Sequence, residues 1–170
     1  MSDIVKDLSS LDKSEMAPKA RINITQVIKK LMDEKKYLNK YRPGIKIEFL
    51  GIHSSVYVTG SEAELKRTLS NVIDNAYEAL VDIGFVKVTL LQEQNFAQIE
   101  VTDNGKGIEK EFLSRIFQRG FSGKVGGNGL GLYHARKSLE QMGGSIDINS
   151  QQHKGTTVQL RIPLVISADQ

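Results

Sequence analysis

One long amphipathic helix, beginning after Ser61, constrains the fold of this chain more than any other segment. Ser61 and Glu64 form a capping box, in which a hydroxyl and a carboxylate three residues apart satisfy free N–H groups at a helix start. Apolar residues then recur at helical spacing to about residue 80. They predict one buried face made of Leu65, Leu69, Val72, Ile73, Ala76 and Leu80.

Two asparagines share the face next to this apolar stripe. Asn71 and Asn75 are one helical turn apart, and Glu78 follows on the same side. Asparagine is a poor residue for a helix interior, because its side chain competes for backbone hydrogen bonds. An amide oxygen suits a Mg²⁺ ion that phosphates and water also hold, so we predict that both amides point into one cleft. A solvated helix face is the alternative.

A polar, glycine-rich run follows a strand predicted over residues 96–102. Asp103 stands before two alternating glycines, Gly105 and Gly107. Because a glycine has no Cβ, backbone can approach a ligand closely there. A carboxylate acceptor beside backbone that a ligand can approach this closely suits a flat, hydrogen-bonding group such as adenine. The same residue types are common in surface turns, which leaves a plain turn as the alternative.

A second glycine cluster, residues 126–132, leads directly into a helix predicted to run to residue 142. Such an entry supplies free backbone N–H groups and the positive end of the helix dipole, an arrangement that binds phosphate. Residues 117–127, just before it, are glycine-rich without a regular period, which is typical of a mobile lid. Phe117 and Phe121 would either pin this lid from below or belong to the core.

Composition excludes several other classes of protein. The 170 residues include no cysteine, which rules out disulfides, thiolate metal sites and cysteine nucleophiles. The net charge is only +3, and no basic patch with interleaved aromatic residues predicts nucleic-acid binding. The sequence contains no segment typical of a transmembrane span or a signal peptide, so we expect a cytoplasmic domain.

Short strands are predicted between these features. Ile22 and Ile24 indicate a strand, after which Thr25 would cap a helix. Glu109 begins a short helical turn. The remaining strands are predicted as three pairs, of which the first two are hairpins: residues 45–50 with 56–59, 86–91 with 96–102, and 145–150 with 156–163.

Taken in order, these stretches resemble the ATP-binding catalytic domain of sensor histidine kinases, within the GHKL superfamily. Residues 69–76 resemble the family's N box, 103–107 its first glycine box and 116–121 its F box. Residues 127–132 resemble its second glycine box, and Gly155-Thr156 its final Gly-Thr element. Five ordered elements are far more specific than any one of them.

The resemblance implies an α/β (α+β) two-layer sandwich, in which three helices cover one face of a mixed, mostly antiparallel sheet. ATP would lie between the helices and a flexible lid. Residues 21–165 would form the ATP-binding domain. Residues 1–20 would be the end of a dimerisation helix or a frayed tail, and residues 166–170 a tail.

The resemblance also implies roles for single residues. Asn75 would coordinate Mg²⁺, and Asn71 would assist through phosphate or water; these are the two predicted catalytic residues. Asp103 would accept a hydrogen bond from the adenine amino group, and Thr156 would reach the adenine through water. The full predicted nucleotide-binding set is Asn71, Asn75, Asp103, Gly105, Gly107, Lys124, Gly127, Gly129, Leu130, Gly131, Leu132 and Thr156.

Within that set, two glycines and several N–H groups have distinct expected tasks. Gly105 and Gly107 would make room for the base. Lys124, in the lid, would neutralise phosphate charge or be an ordinary solvated lysine. Backbone N–H groups of the second glycine run would face the phosphates, namely those of Gly127, Gly129, Leu130 and Gly131.

Two positions differ informatively between members of the superfamily. Hydrolysing relatives carry a glutamate that activates water where this chain has Asn71, and an amide cannot act as a general base at neutral pH. Many histidine kinases carry a lysine where this chain has Glu78. That departure would move one phosphate contact to another cation, with Lys124, Arg119 and Arg136 as candidates.

The implied activity is transfer of the γ-phosphoryl group of ATP to a histidine on a separate dimerisation domain, with a response regulator downstream. His53, His134 and His153 all lack the sequence context of a phosphoacceptor. This part alone would be monomeric and cytoplasmic, and its parent a homodimer, membrane-anchored or not. A degenerate nucleotide-binding module and a freestanding ATPase or serine kinase of the same superfamily remain alternatives.

Overall fold

The computed structural model describes residues 20–52, 54–123 and 127–165. The helices are α1 (Ile24–Leu38), α2 (Glu62–Glu78), the short α3 (Lys110–Leu113) and α4 (Gly131–Gln141), with a 3-10 turn at Asn39–Tyr41. The strands are β1 (Ala20–Asn23), β2 (Ile45–Gly51), β3 (Tyr57–Gly60), β4 (Gly84–Glu93), β5 (Phe96–Asp103), β6 (Ser145–Gln151) and β7 (Gly155–Pro163). The predictions for residues 1–19, His53, Lys124 and residues 166–170 lie outside the described residues.

Five of these strands form one mixed sheet in the order β2-β4-β5-β7-β6. In this described sheet β2 and β4 run parallel, and every other neighbouring pair is antiparallel. Successive side chains of a strand point to opposite faces, and the alternate residues Val86, Val88 and Leu90 are fully buried on the helix side. The helices pack on that one face, so the α+β two-layer sandwich is confirmed.

The predicted hairpin of residues 45–50 with 56–59 is wrong. β2 instead pairs in parallel with β4, from Ile45 opposite Gly84, and β3 pairs with β1, with Ile22 opposite Val58. Parallel neighbours need a long crossover connection, and here β3 and α2 supply it. β1 and β3 form their own two-stranded sheet beside the main one.

The start of α1 also differs from the prediction. Asn23, not Thr25, is the N-cap, and its side chain accepts from the Gln26 N–H at 3.2 Å. The buried Thr25 hydroxyl donates to the Ser54 carbonyl at 3.0 Å and accepts from the Val56 N–H at 3.1 Å. Thr25 therefore ties α1 to the segment before β3.

The long helix follows its sequence pattern closely. Ser61 caps α2, accepting from the Glu64 N–H at 3.4 Å, and every residue of the predicted apolar stripe is at most 5% exposed. At the other end, Arg42 donates to the carbonyl oxygens of Tyr77 (3.4 Å), Leu80 (2.8 Å) and Val81. A cation at a helix C-terminus is favourable because it faces the negative end of the dipole.

No helix among the described residues combines the length and apolar character needed to cross a membrane.

Candidate functional site

Three polar side chains lie in one row across the helix-covered face of the sheet. Asp103, the last residue of β5, stands directly opposite Thr156 on β7, and Thr156 stands opposite Ser150 on β6. Directly opposite residues share a face, with Cβ atoms about 4.5–5.5 Å apart. Asp103 is 5% and Thr156 9% exposed. The row gives an otherwise apolar layer a polar end.

Asp103 is held in this row by its own loop. The Gly105 N–H donates to Asp103 Oδ1 at 2.8 Å. Burial raises the pKa of the Asp103 carboxyl above its usual value, and backbone hydrogen bonds from Gly105 and Thr156 partly offset the effect. The result is a buried hydrogen-bond acceptor at a strand end.

The two glycines after Asp103 pack against the chain's own backbone. A Cβ at Gly105 would lie 2.5 Å from the Ala79 carbonyl oxygen, just beyond α2. A Cβ at Gly107, whose φ is +67°, would overlap the Gln151 carbonyl group. The space beside these glycines, where a Cβ would lie, is thus filled by protein backbone. This close packing holds the loop between the end of α2 and the β6–β7 turn. Their contact with a base stays a prediction.

The asparagine face of α2 meets the start of α4. Asn71 Nδ2 donates to the Gly131 carbonyl at 3.4 Å, and a Cβ at Gly131 would lie 3.7 Å from Asn71 Cγ. Asn75, one turn further along α2, is half-buried. Two segments singled out from the sequence, the asparagine helix and the glycine-rich helix entry, therefore converge in space.

The glycine-rich entry to α4 folds back on the end of the F-box segment. The Gly120 N–H donates to the Gly129 carbonyl at 3.1 Å, and a Cβ at Gly129, with φ +63°, would lie 2.5 Å from the Phe121 carbonyl oxygen. These contacts close the base of the loop between residues 120 and 129, where the lid was predicted.

One expected phosphate donor is occupied. The Leu130 N–H donates to Asn128 Oδ1 at 3.1 Å, and its contact with phosphate stays a prediction. At the start of α4, Leu130 is the N-cap residue and its side chain makes no capping hydrogen bond. In the described part of the chain, the first turn of α4, with Gly131 and Leu132, therefore offers N–H groups without a side-chain cap. Gly127, nearby, is exposed.

The two phenylalanines of the F-box segment have different environments. Phe117 packs against the main hydrophobic core, and the Arg136 guanidinium lies 5.4 Å from its ring centroid. Phe121 lies 5.7 Å from Phe112, centroid to centroid, with Arg115 over its ring at 4.7 Å. Phe117 is therefore core, and Phe121 anchors the loop through an aromatic pair.

The other candidate cations and histidines are placed as follows. Arg136 also bonds Glu140 at 3.0 Å, so its guanidinium is already engaged, whereas Arg119 is exposed. His134 is half-buried on α4, edge-on to Tyr133. His153 is exposed in the β6–β7 turn, and its backbone N–H donates to Lys106 O at 2.7 Å.

Two residues beside the site carried no signal in the sequence that we recognised. Ser150 joins the polar row described above. Lys35 of α1 reaches α2, where its Nζ lies 2.5 Å from Asp74 Oδ1 and 2.9 Å from Ser70 Oγ. Ser70 and Asp74 are also joined, at 3.0 Å, and directly precede the two asparagines. In the sequence, this network is indicated only by the spacing of Ser70 and Asp74, which lie four residues apart on the predicted helix.

The asparagine amide oxygens on α2 suit a magnesium ion that is also held by phosphate and water. Mg²⁺ takes six oxygen ligands and usually keeps waters and substrate phosphates among them. Asn71 uses its amide nitrogen on Gly131, so that its oxygen is outside this hydrogen bond. Neutral amide oxygens on α2 fit an ion whose remaining ligands come from phosphate and water.

Comparison with known proteins places the chain in a family. The family model described as histidine kinase-, DNA gyrase B-, and HSP90-like ATPase matches residues 60–166. Sporulation kinase A of Bacillus subtilis (strain 168) is 30% identical over 164 residues, 94% of this chain and 26% of that protein. Sensor histidine kinase ZraS of Escherichia coli (strain K12) is 34% identical over 123 residues, 72% of this chain and 26% of that protein.

Solved structures agree on the fold. A mycobacterial sensor histidine kinase, MprB, has a TM-score of 0.75 at 26% identity, covering 86% of this chain and 98% of that one. The nucleotide-free catalytic domain of histidine kinase ThkA has a TM-score of 0.77 at 25% identity, covering 86% and 95%. The chain spans about a quarter of the length of the curated relatives named above.

Proposed function

Because this chain belongs to the family of histidine kinase-, DNA gyrase B- and HSP90-like ATPases, we propose that it binds ATP with Mg²⁺ and donates the γ-phosphoryl group to a histidine. It is similar to the ATP-binding catalytic domains of sensor histidine kinases of the GHKL superfamily. The observation that carries the proposal is the Asn71–Gly131 contact, which joins the asparagine face of α2 to the uncapped start of α4.

The site has a base end and a phosphate end. At the base end, Asp103 accepts from the adenine amino group, and Thr156 lies beside it on the neighbouring strand. At the phosphate end, N–H groups of Gly127, Gly129 and the first turn of α4 face the phosphates, since a helix N-terminus attracts anions. Asn75 lies on α2, where its amide oxygen would hold the metal, and Asn71, one turn earlier, would assist through phosphate or water.

The chemistry requires positioning more than acid–base catalysis. The bond between the γ-phosphorus and its bridging oxygen breaks, a histidine nitrogen forms the new bond, and ADP leaves. A bound Mg²⁺ supplies positive charge to the phosphate oxygens. Asn71 cannot accept a proton at neutral pH, so the site suits an acceptor that is nucleophilic without a base on this domain.

The partners follow from the same proposal. An acceptor histidine on a dimerisation domain of the parent protein receives the phosphoryl group, and a response regulator takes it onward. The parent is a homodimer and this domain lies in the cytoplasm. Phosphate appearing as an acid-labile adduct, after the domain is mixed with a dimerisation domain that bears the histidine, is the direct test of transfer.

Binding is tested first, by calorimetric titration with a non-hydrolysable ATP analogue, with and without Mg²⁺. Wild type should bind, Asp103→Ala should lose affinity in both conditions, and Asn75→Ala should lose the Mg²⁺ dependence. Asn149→Ala is the matched control. Asn149 is an exposed residue of β6 that stands opposite Thr157 on β7, and both residues belong to the face of the sheet away from the helices. No heat at millimolar ligand would instead favour a degenerate module. Steady ATP hydrolysis that Asn71→Ala abolishes would favour a freestanding ATPase.

A further inference from the structure

The Ser150 hydroxyl contacts three groups at the base end of the site. The Ile108 N–H donates to Ser150 Oγ at 2.9 Å. The Gly155 carbonyl oxygen lies 3.0 Å from the same oxygen, and Thr156 Oγ1 lies 2.9 Å from it. A serine hydroxyl has one hydrogen to donate and two lone pairs to accept with, so three partners use its full capacity.

The chemistry of these partners fixes the direction of each hydrogen bond. A carbonyl oxygen can only accept, so the Ser150 hydrogen points to Gly155. A backbone N–H can only donate, so Ile108 occupies one lone pair of Ser150. All three contacts are hydrogen bonds only if Thr156 donates its hydroxyl hydrogen to the second lone pair. Thr156 Oγ1 then faces its other neighbours as an acceptor.

Thr156 stands opposite Asp103 on the neighbouring strand. An ionised carboxylate is also an acceptor and cannot donate. Two acceptors side by side match an exocyclic amino group, which has two hydrogens to donate. They mismatch a carbonyl oxygen, because buried acceptors that meet another acceptor lose their hydrogen bonds at a large cost.

We propose that the Thr156 hydroxyl accepts directly from the base, rather than through the water that the family resemblance implies, and that Ser150 is the positioning residue that keeps this hydroxyl an acceptor. The site thereby selects purines with an amino group at position 6 over purines with a carbonyl oxygen there. This inference rests on the proposed binding of ATP. A role confined to holding the loop at Ile108 in place would affect all nucleotides alike, whereas orientation of the Thr156 hydroxyl acts on position 6 of the base.

The test compares ATP with inosine triphosphate, whose base carries a carbonyl oxygen at position 6. Dissociation constants are measured for wild type, Ser150→Ala and Ser145→Ala; Ser145 is an exposed serine at the start of the same strand. Wild type should prefer ATP. In Ser150→Ala the Thr156 hydrogen is released and can turn toward the base, so this preference should fall about tenfold, which one hydrogen bond can account for. Ser145→Ala should keep it.

Thr156→Val provides an independent reading in case Ser150→Ala does not fold. It should weaken ATP binding more than inosine triphosphate binding, and adding Ser150→Ala to it should change the preference no further. Equal losses for both nucleotides in either variant overturn the role of Ser150, as does a wild type that binds both nucleotides equally. A wild type that binds neither overturns the proposed function, and this inference with it.

Discussion

Lys35 Nζ and Asp74 Oδ1 lie 2.5 Å apart and tie α1 to α2 at the level of the two asparagines. The Lys35 side chain is only 16% exposed, whereas that of Asp74 is 45% exposed. A second ion pair joins the same two helices, between Lys66 and Glu34 at 2.8 Å, but its side chains are 48% and 54% exposed. The Lys35–Asp74 pair is therefore the less exposed of the two, and it includes an additional contact, from Lys35 to the Ser70 hydroxyl.

The structure predicts that these two pairs stabilise the domain unequally. A double-mutant cycle of Lys35→Met with Asp74→Asn should give a coupling of about 1 kcal/mol in urea unfolding, because solvent screens Lys35 less. The matched cycle of Lys66→Met with Glu34→Gln should give about 0.3 kcal/mol, as for exposed pairs. Equal couplings would contradict the importance assigned to the Lys35 network.

Arg42 should be among the most stabilising cations of the domain. It donates to three carbonyl oxygens at the end of α2 and lies 4.5 Å from the ring centroid of Tyr77. Arg42→Met leaves those carbonyls without their charged donor and should cost about 2 kcal/mol in urea unfolding. Arg42→Lys should recover part of the loss, since lysine keeps the charge without the planar fork.

The control for Arg42 is an arginine on α2 itself. Arg67 is 53% exposed at its side chain, and its Nη1 lies 3.9 Å from Glu64 Oε1. Arg67→Met should cost less than about 0.5 kcal/mol, the usual range for exposed pairs. A comparable loss in both variants would mean that the C-terminal end of α2 does not depend on Arg42.

Local patterns predicted most of the fold, and long-range pairings were the exception. The hairpin of β4 and β5 follows from two alternating segments joined by a short polar turn. The pairing of Ile45 with Gly84 depends on where a crossover returns the chain, and no residue near β2 encodes that. β3 resembled a hairpin partner of β2 because it is the next strand along the chain, after a short loop.

The site divides in the same way. Asp103 and Asn71 were singled out because each belongs to an unusual local pattern, an aspartate before alternating glycines and an asparagine inside a helix; their roles toward a nucleotide stay predictions. Ser150 and Lys35 act through partners far along the chain; Ile108 is 42 residues from Ser150. The occupied N–H of Leu130 had a local sign, since an asparagine often bonds the N–H two residues on.

Asp103 should stabilise the fold less as a carboxylate than as an amide. Its pKa is higher in the folded chain than the ordinary value of 3.8, so the folded state binds the proton more tightly. The free energy of unfolding therefore falls as pH rises from 3.8 through the folded pKa, and the penalty persists at neutral pH. Asp103→Asn should remove this dependence and be at least as stable as wild type at pH 7.

The same substitution should weaken nucleotide binding. A hydrogen bond to a charged acceptor contributes about 1.5–3 kcal/mol, so Asp103→Asn should bind the ATP analogue about 10- to 100-fold less tightly. Asp147→Asn, an exposed aspartate on β6, should change neither property. Urea unfolding at pH 4 and pH 7 and calorimetric titration measure the two effects separately. A variant that loses stability at pH 7 yet keeps its affinity would contradict both expectations.

Three glycines around the predicted lid should respond differently to alanine. Gly129 has φ +63°, and a Cβ there would lie 2.5 Å from the Phe121 carbonyl oxygen. Gly129→Ala should therefore push Gly129 away from Phe121 and open the loop at its base. Gly120 has φ +79° but open space, so Gly120→Ala should cost only about 1–2 kcal/mol of backbone strain. Gly123 has open space, so Gly123→Ala should be neutral. The three variants should have the same order in thermal stability and in affinity for the ATP analogue, with Gly129→Ala lowest in both. Thermal unfolding and calorimetric titration measure the two properties. If Gly129→Ala instead matches Gly123→Ala in both measurements, closure of this loop at its base does not support the nucleotide site.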